Sequence, residues 1–289
     1  MQVSIRIIHD IKKSKIMTIL SQSKLIEIKQ LLLKNKKVAI AFSGGVDSTF
    51  LAKAAFDALG SNALAITIDS EAYPPNSILE TRKMAEHIGI RLIEIKANAC
   101  DIDGFRTNES DRCYHCKKAL FTLMIETARV EGFSVIVDGT NADDSSDYRP
   151  GTQALKELGV QSPLRDVGFS KDEIRACSKE LGLPTWDHQS FACLASRVPY
   201  GSEITPDRLE RIGKAEALLR DLGLNHYRVR DHGTLARLEL DSDGINRLMD
   251  DSTRNRIIDH IKACGFTYVT LDLQGFRTGS MNEVLPPGQ

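Results

Sequence analysis

Two groups of residues in this chain have types and spacing suited to chemistry. The first is Ser43-Gly44-Gly45-Val46-Asp47-Ser48, which follows the short apolar run from Val38 to Phe42. Paired glycines let a backbone turn tightly and present N–H groups with no side chain in the way. The hydroxyls of Ser43 and Ser48 add donors, and a helix starting at this point would favour an anion through its dipole. Asp47 would repel phosphate directly, so its expected role is to hold a Mg²⁺ that bridges the phosphates. A bare Gly-Gly would read as an ordinary turn. Six residues of these types between a strand and a helix read as a cradle for ATP. The string lacks the Gly-Lys-Ser/Thr ending of a Walker loop.

The second group is sulfur. Cys113-Tyr114-His115-Cys116 is a C-x-x-C pair, compatible with a zinc half-site, a redox pair or two incidental core cysteines. A structural zinc would need a second such pair, and the sequence has none. Cys193 lies in Phe191-Ala192-Cys193-Leu194-Ala195-Ser196-Arg197-Val198-Pro199-Tyr200-Gly201. If that segment folds over the same sheet edge, three thiolates meet. Three can hold a 4Fe–4S cluster and leave one iron open to sulfide. His115 reads as a surface or supporting residue, and Cys100, Cys177 and Cys264 as core or bystander cysteines. Six cysteines in 289 residues do not make a disulfide scaffold.

The elements that must position these groups follow a simple rhythm. Helical spacing at 23–34 precedes the strand Val38–Phe42, and Thr49–Leu59 reads as a helix. Strands at Leu64–Asp69, Leu92–Lys96 and Val135–Asp138 alternate with helices at Asn76–Ile88, Lys117–Glu131 and Lys171–Leu181. This alternation predicts an α/β fold, a parallel sheet covered on both faces with ligands at the carboxyl ends of its strands. From about Ser202 the rhythm changes to a helix opened by Thr205-Pro206, a hairpin of Tyr227–Arg230 and Leu235–Leu240, a helix within 243–263 and a strand at Phe266–Leu271. Two domains are expected, 17–195 and a smaller α+β unit at 202–289. Met17 is a candidate initiator, because the first helix begins just after it.

Composition sets the outer limits. The chain is 42% hydrophobic and 27% charged, ordinary for a globular protein, and its formal net charge of -1 offers no whole-surface attraction to nucleic acid or anionic membrane. No apolar run reaches the roughly 18 residues of a membrane span, and Met1–Ile16 lacks the features of a signal peptide. The expected location is the cytoplasm.

The phosphate string resembles that of the PP-loop ATP pyrophosphatase superfamily, with Asp138-Gly139-Thr140-Asn141 and Ser162-Pro163-Leu164-Arg165 as counterparts of its later elements. Joined by Asp147-Tyr148-Arg149-Pro150-Gly151, by Ala195 to Gly201 and by Asp272-Leu273-Gln274-Gly275-Phe276-Arg277, it resembles the LarE-type ATP-dependent sulfur transferases of nickel-pincer nucleotide cofactor biosynthesis. The resemblance covers about residues 20–285. It implies a PP-loop (adenine nucleotide alpha hydrolase-like) domain and adenylation with release of pyrophosphate and AMP. It implies a small mononucleotide substrate, pyridinium-3,5-biscarboxylic acid mononucleotide, whose carboxylates become thiocarboxylates, and a homo-oligomer with no nucleic-acid or membrane partner. Arg228 and Arg230 alternate along a strand and so share a face; with Arg277 they match the family's substrate-phosphate arginines. Glu216 and Glu239 fall where the family has acidic residues able to bind metal.

Some members of that family use one cysteine that gives up its own sulfur and becomes dehydroalanine; others carry a C-x-x-C pair plus a third cysteine. This sequence has Cys113 and Cys116, and its Cys193 stands one residue nearer Arg197 than in the sacrificial pattern. The expected route is therefore cluster-dependent, with a sacrificial Cys193 as the nearer alternative. Three rivals remain. A PP-loop tRNA thiolase would show a basic face or added zinc modules. An ammonia-using synthetase would need no cysteine trio, and a regulatory ATP-binding module would release no pyrophosphate.

Overall fold

A computed structural model describes residues 21–146, 150–189, 192–277 and 279–284. Met17, Phe191 and the Asp147-Tyr148-Arg149 part of one string lie outside them. The first unit opens with helix α1 (21–35) and strand β1 (Val38–Ala41), followed by α2 (Val46–Leu59), β2 (Ala63–Asp69), α3 (Ser77–Ile88) and β3 (Arg91–Lys96). A one-turn α4 (Asp103–Arg106), the long α5 (Arg112–Val130), β4 (Ile136–Val137), α6 (Pro150–Glu157), α7 (Pro163–Asp166) and α8 (Lys171–Glu180) complete it.

The four strands form one parallel sheet, as the alternation predicted, and the structure sets their order as β3-β2-β1-β4. β1 and the first six residues of β2 are apolar or small and almost wholly buried, because both faces of the sheet are covered. One face packs on α1, α2 and α8 through residues such as Leu32, Phe50 and Ile174. The other packs on α5 and α6 through Leu120, Met124 and Leu155. Among the described residues no helix is long and apolar enough to cross a membrane.

The second sheet follows α9 (Pro206–Asp221). Its strands β5 (Tyr227–His232) and β6 (Leu235–Leu240) form an antiparallel hairpin, α10 (Ser242–Arg247) and α11 (Asp251–Ala263) follow, and β7 (Tyr268–Leu271) joins β6 in parallel. The single helix read at 243–263 is two, because Asp250 accepts a hydrogen bond from Thr253 N at 2.7 Å and so caps a new start.

Two boundary shifts bear on the site. α2 starts at Val46 rather than Thr49, so Val46-Asp47-Ser48 are its first turn. α5 starts at Arg112 rather than Lys117, so Cys113 and Cys116 are on the helix, one turn apart, and not in the approach to it. Propensity is weak across Cys-Tyr-His-Cys. Tertiary anchoring decides: Arg112 is 4% exposed, donates to Asn108 Oδ1 and lies 4.7 Å from the Tyr200 ring centroid.

Candidate active site

The phosphate string is an organised loop. Ser43 and Ser48 oxygens are 3.0 Å apart, Gly45 N donates to Ser43 Oγ at 3.3 Å and Ser43 N donates to Ser48 Oγ at 3.2 Å. Gly44 has φ +71°, and a Cβ there would stand 2.8 Å from Thr81 Oγ1 on α3, so both the turn and the packing demand glycine. Thr81 in turn donates to Ser43 O at 3.2 Å. Behind the loop, a Cβ on Gly139 would lie 3.0 Å from Ser48 N, so the missing side chain lets the end of β4 press against the start of α2.

Asp47 faces this cradle with one oxygen paired and one open. Its Oδ2 accepts from Lys171 Nζ at 2.5 Å, while Oδ1 is buried without a hydrogen-bond partner among the described residues. Burial raises the Asp47 pKa, and the Lys171 ammonium works against that rise. A buried carboxylate oxygen with no partner beside a glycine cradle fits a Mg²⁺ that would enter with a nucleotide's phosphates. Lys171 itself escaped sequence reading. It stands at the first position of α8, where the dipole disfavours a cation, and that anomaly was the available signal. The Asp138 string lines the same place: Asp138 Oδ1 accepts from Ser162 Oγ at 2.6 Å, and Thr140 O accepts from Arg165 N at 3.1 Å.

The cysteine segments meet at the same carboxyl edge. Beyond β2, Ala72 O accepts from Leu194 N at 2.7 Å, seating the turn Leu194–Arg197 next to Cys193. Asn108 is fully buried and donates to Pro199 O at 2.7 Å and Ser202 O at 2.8 Å, tying this segment to the entrance of α5. Cys116 and Cys193 are both half-buried against the apolar cluster of Ala72, Phe105 and Leu194. The Cys116 thiol is pushed up to about 12, by burial first and then by Cys193 and Cys113. Desolvation and Cys193 also raise Cys113, although that residue as a whole is exposed. Cys116 and Cys193 share one apolar cluster, and Cys113 stands one turn before Cys116 on α5.

They are not drawn into ligand geometry. Among the described residues no group of three or more His, Cys, Asp or Glu side chains could hold a metal ion as it stands. Protonated thiols gain little from contact, and a metal's charge is what would deprotonate and gather them. The donor set, three soft sulfurs on one patch, fits an iron–sulfur cluster in chemistry. His115 is turned to Asp111, 3.1 Å from its Oδ2.

Burial disfavours the thiolate at two of the other cysteines. Burial pushes Cys100 up to about 12, helped by Glu71, and Cys177 up to about 11. Below its pKa a thiol reacts in proportion to a thiolate fraction that grows about tenfold per pH unit. Iodoacetamide at pH 8 should therefore label exposed Cys113 before Cys100 or Cys177, as peptide mass mapping would show.

The arginines divide sharply. Arg230 is 4% exposed and lies in a bidentate pair with fully buried Glu239, at 2.9 and 2.7 Å, with Ser280 Oγ at 2.8 Å and Ser196 O at 2.6 Å. Glu216 is likewise bidentate to Arg197, at 2.9 and 2.8 Å. Both glutamates thus commit their carboxylates to arginines. Arg228 differs: it donates to its neighbour's carbonyl, Tyr227 O, at 2.7 Å, and its guanidinium stands 4.9 Å from the Phe276 ring centroid. Burial, then the Arg197 charge, lowers its pKa to about 10. Arg277 pairs with Glu283 at 3.1 Å near the surface. Arg208 and Arg211 line a 570 Å³ groove with His232, but both are bound to buried Asp231.

Residues 22–129 match the NAD synthase family. An uncharacterized protein of Synechocystis is 42% identical over 264 residues, 91% of this chain and 98% of that protein. The pyridinium-3,5-bisthiocarboxylic acid mononucleotide synthase of Lactiplantibacillus plantarum is 35% identical over 255 residues, 88% of this chain and 92% of that enzyme. One glutamine-hydrolyzing GMP synthase component from Thermoplasma volcanium is 30% identical over 189 residues, 60% of each chain. The sheet, the phosphate loop and the near full-length match to the bisthiocarboxylate synthase agree, and the chain is an enzyme of the LarE-type ATP-dependent sulfur transferase family, within the PP-loop superfamily.

Proposed function

We propose that this enzyme adenylates the carboxylates of pyridinium-3,5-biscarboxylic acid mononucleotide and converts them to thiocarboxylates, in the cytoplasm and as a homo-oligomer. The reading is supported by the packing of Cys116 and Cys193 against one apolar cluster that includes Ala72, just beyond the end of β2, and by Cys113 one turn before Cys116 on α5. Ser43, Gly44, Gly45, Val46 and Ser48 would bind the triphosphate and Asp47 would hold its Mg²⁺, with Lys171 paired to Asp47 beside it. A substrate carboxylate oxygen attacks the α-phosphorus, the bond to the β-phosphate oxygen breaks and pyrophosphate leaves. AMP then supplies the leaving group that a bare carboxylate lacks. Sulfur attack at the acyl carbon expels it.

Cys113, Cys116 and Cys193 are the residues that would hold a 4Fe–4S cluster, which would supply a place to carry sulfide. In the sacrificial alternative, Cys193 sulfur attacks the acyl carbon, AMP leaves, and loss of the Cα proton with cleavage of Cβ–S yields the thiocarboxylate and dehydroalanine at 193.

Arg228 takes the substrate phosphate, because its guanidinium, unlike that of Arg230, is not bound to a carboxylate among the described residues. Arg277 contributes from the surface, while Glu216 and Glu239 hold arginines in place. Arg228→Ala should raise the substrate Kd by about 10–100-fold while leaving the ATP Kd unchanged, as titration calorimetry would show.

Incubation with the biscarboxylate nucleotide, ATP, Mg²⁺ and sulfide under nitrogen should give a product heavier by the exchange of oxygen for sulfur. Pyrophosphate release without any such product would refute sulfur transfer. Iron and labile sulfide in anaerobically purified protein support the cluster. Absence of iron, with dehydroalanine at 193 after turnover, establishes the sacrificial route.

A further inference from the structure

Arg197 is the largest fully buried side chain described in this protein, at 0% exposure, yet it belongs to an irregular segment that joins the two sheets. A loop there exposes backbone carbonyls that no ladder satisfies, and each must find a donor. In the 192–202 segment backbone N–H groups serve some of them, Ser196 N reaching Cys193 O at 3.1 Å and Val198 N reaching Ala195 O at 3.1 Å, and side chains add the rest. Arg197 Nη1 reaches Ala192 O at 2.8 Å, Cys193 O at 3.1 Å and Ser196 Oγ at 2.8 Å. Arg230 Nη1 holds Ser196 O at 2.6 Å, and Asn108 Nδ2 holds Val198 O at 3.3 Å and Pro199 O at 2.7 Å.

The other side of the Arg197 fork fixes where this segment sits. Its Nε and Nη2 bind both oxygens of Glu216 on α9, and Glu216 Oε1 also accepts from Val229 N at 3.0 Å. Val229 lies between Arg228 and Arg230 on β5. One planar guanidinium therefore joins the carbonyl of the sulfur-bearing residue to the backbone of the strand that carries Arg228. Lysine cannot copy this, since a single ammonium has no fork with which to meet two carboxylate oxygens on one side and two carbonyls on the other.

We propose that Arg197 is the positioning residue for Cys193, setting the distance and direction from the substrate-phosphate strand to the thiol at residue 193. The inference rests on the reading of Cys193 as a sulfur-bearing residue. Arg197 touches neither substrate nor the reacting atoms; it acts through the Cys193 and Ala192 carbonyls. A misplacement of about 1 Å at a reacting group can cost about 100-fold in rate, so loss of this fork should uncouple sulfur delivery from activation.

The test compares Arg197→Lys with wild type and with Arg208→Lys, a control that alters a second arginine–carboxylate pair on the same helix. Two ratios are read on anaerobically purified, full-length protein whose circular dichroism matches wild type. One is thiocarboxylate formed per pyrophosphate released. The other is the iodoacetamide rate at Cys193 relative to Cys113, by peptide mass spectrometry. Arg197→Lys should lower the first ratio by at least about tenfold and change the second, while Arg208→Lys moves neither. Product and pyrophosphate falling together, or both ratios staying at wild-type values, would overturn the assignment. Should Arg197→Lys not fold, Ser196→Ala removes an acceptor of Arg197 and a donor to Cys193 O and is read on the same two ratios, with a smaller drop expected and no drop overturning the proposal. If wild type forms no thiocarboxylate, the proposed reaction fails, and the alkylation ratio alone decides the role of Arg197.

Discussion

Cys193→Ala leaves a protein that still releases pyrophosphate when given ATP and the biscarboxylate nucleotide, but forms thiocarboxylate at less than about one hundredth of the wild-type rate. Both sulfur routes require residue 193, whether as ligand or as donor, so this variant has the largest expected effect on transfer. Pyrophosphate release is expected to persist because the loop at 43–48 is assembled by Thr81, Gly139 and Lys171 rather than by any cysteine. Cys113→Ala sorts the routes. Under the cluster reading it matches Cys193→Ala, whereas under the sacrificial reading it keeps most of the activity for a single turnover. Full multi-turnover activity in Cys193→Ala would dispose of both.

Gly44→Ala is expected to strike the earlier half-reaction. A side chain at φ +71° costs on the order of 1–3 kcal/mol, and its Cβ would be driven into Thr81 Oγ1 and the Thr81 backbone. The loop must then shift away from α3, carrying Ser43 and the Gly45 N–H out of register with a bound triphosphate. A donor lost from a charge-stabilising cradle costs about 100–1000-fold in turnover, so pyrophosphate release should fall by at least about 100-fold, with the melting temperature only a few degrees lower. Unchanged release by a coupled pyrophosphatase assay would show that the loop is not the phosphate site.

How much of this was readable beforehand depends on which interactions were local. The phosphate loop was legible because its glycines, serines and aspartate are contiguous, and their chemistry follows from a strand-to-helix turn. The parallel pairing of β1, β2 and β3 followed from the alternation of strands and helices, while their order did not. Illegible were the contacts between segments far apart in sequence. Arg228 and Arg230 look equivalent as a pair two residues apart, since both share a strand face. Nothing local says that Glu239, nine positions on, claims one of them and leaves the other. Glu216 and Glu239 looked available to a cation for the same reason. The early start of α5 was hidden because Tyr200, 88 residues after Arg112, supplies the anchoring. Lys171 was visible in the string but became meaningful only when Asp47 proved to lie against it.

The closing pieces of the sulfur segment come late in the chain. Ser280 binds the Arg230–Glu239 pair, and Asn282 Oδ1 accepts from the Tyr200 hydroxyl at 3.1 Å. During synthesis, the nucleotide cradle and all three thiols emerge well before these residues do. Until then Tyr200 lacks its bond to Asn282, and the Arg230 pair lacks its serine. The order of translation thus leaves the 192–202 segment without its last tethers until residues 280–282 have been made.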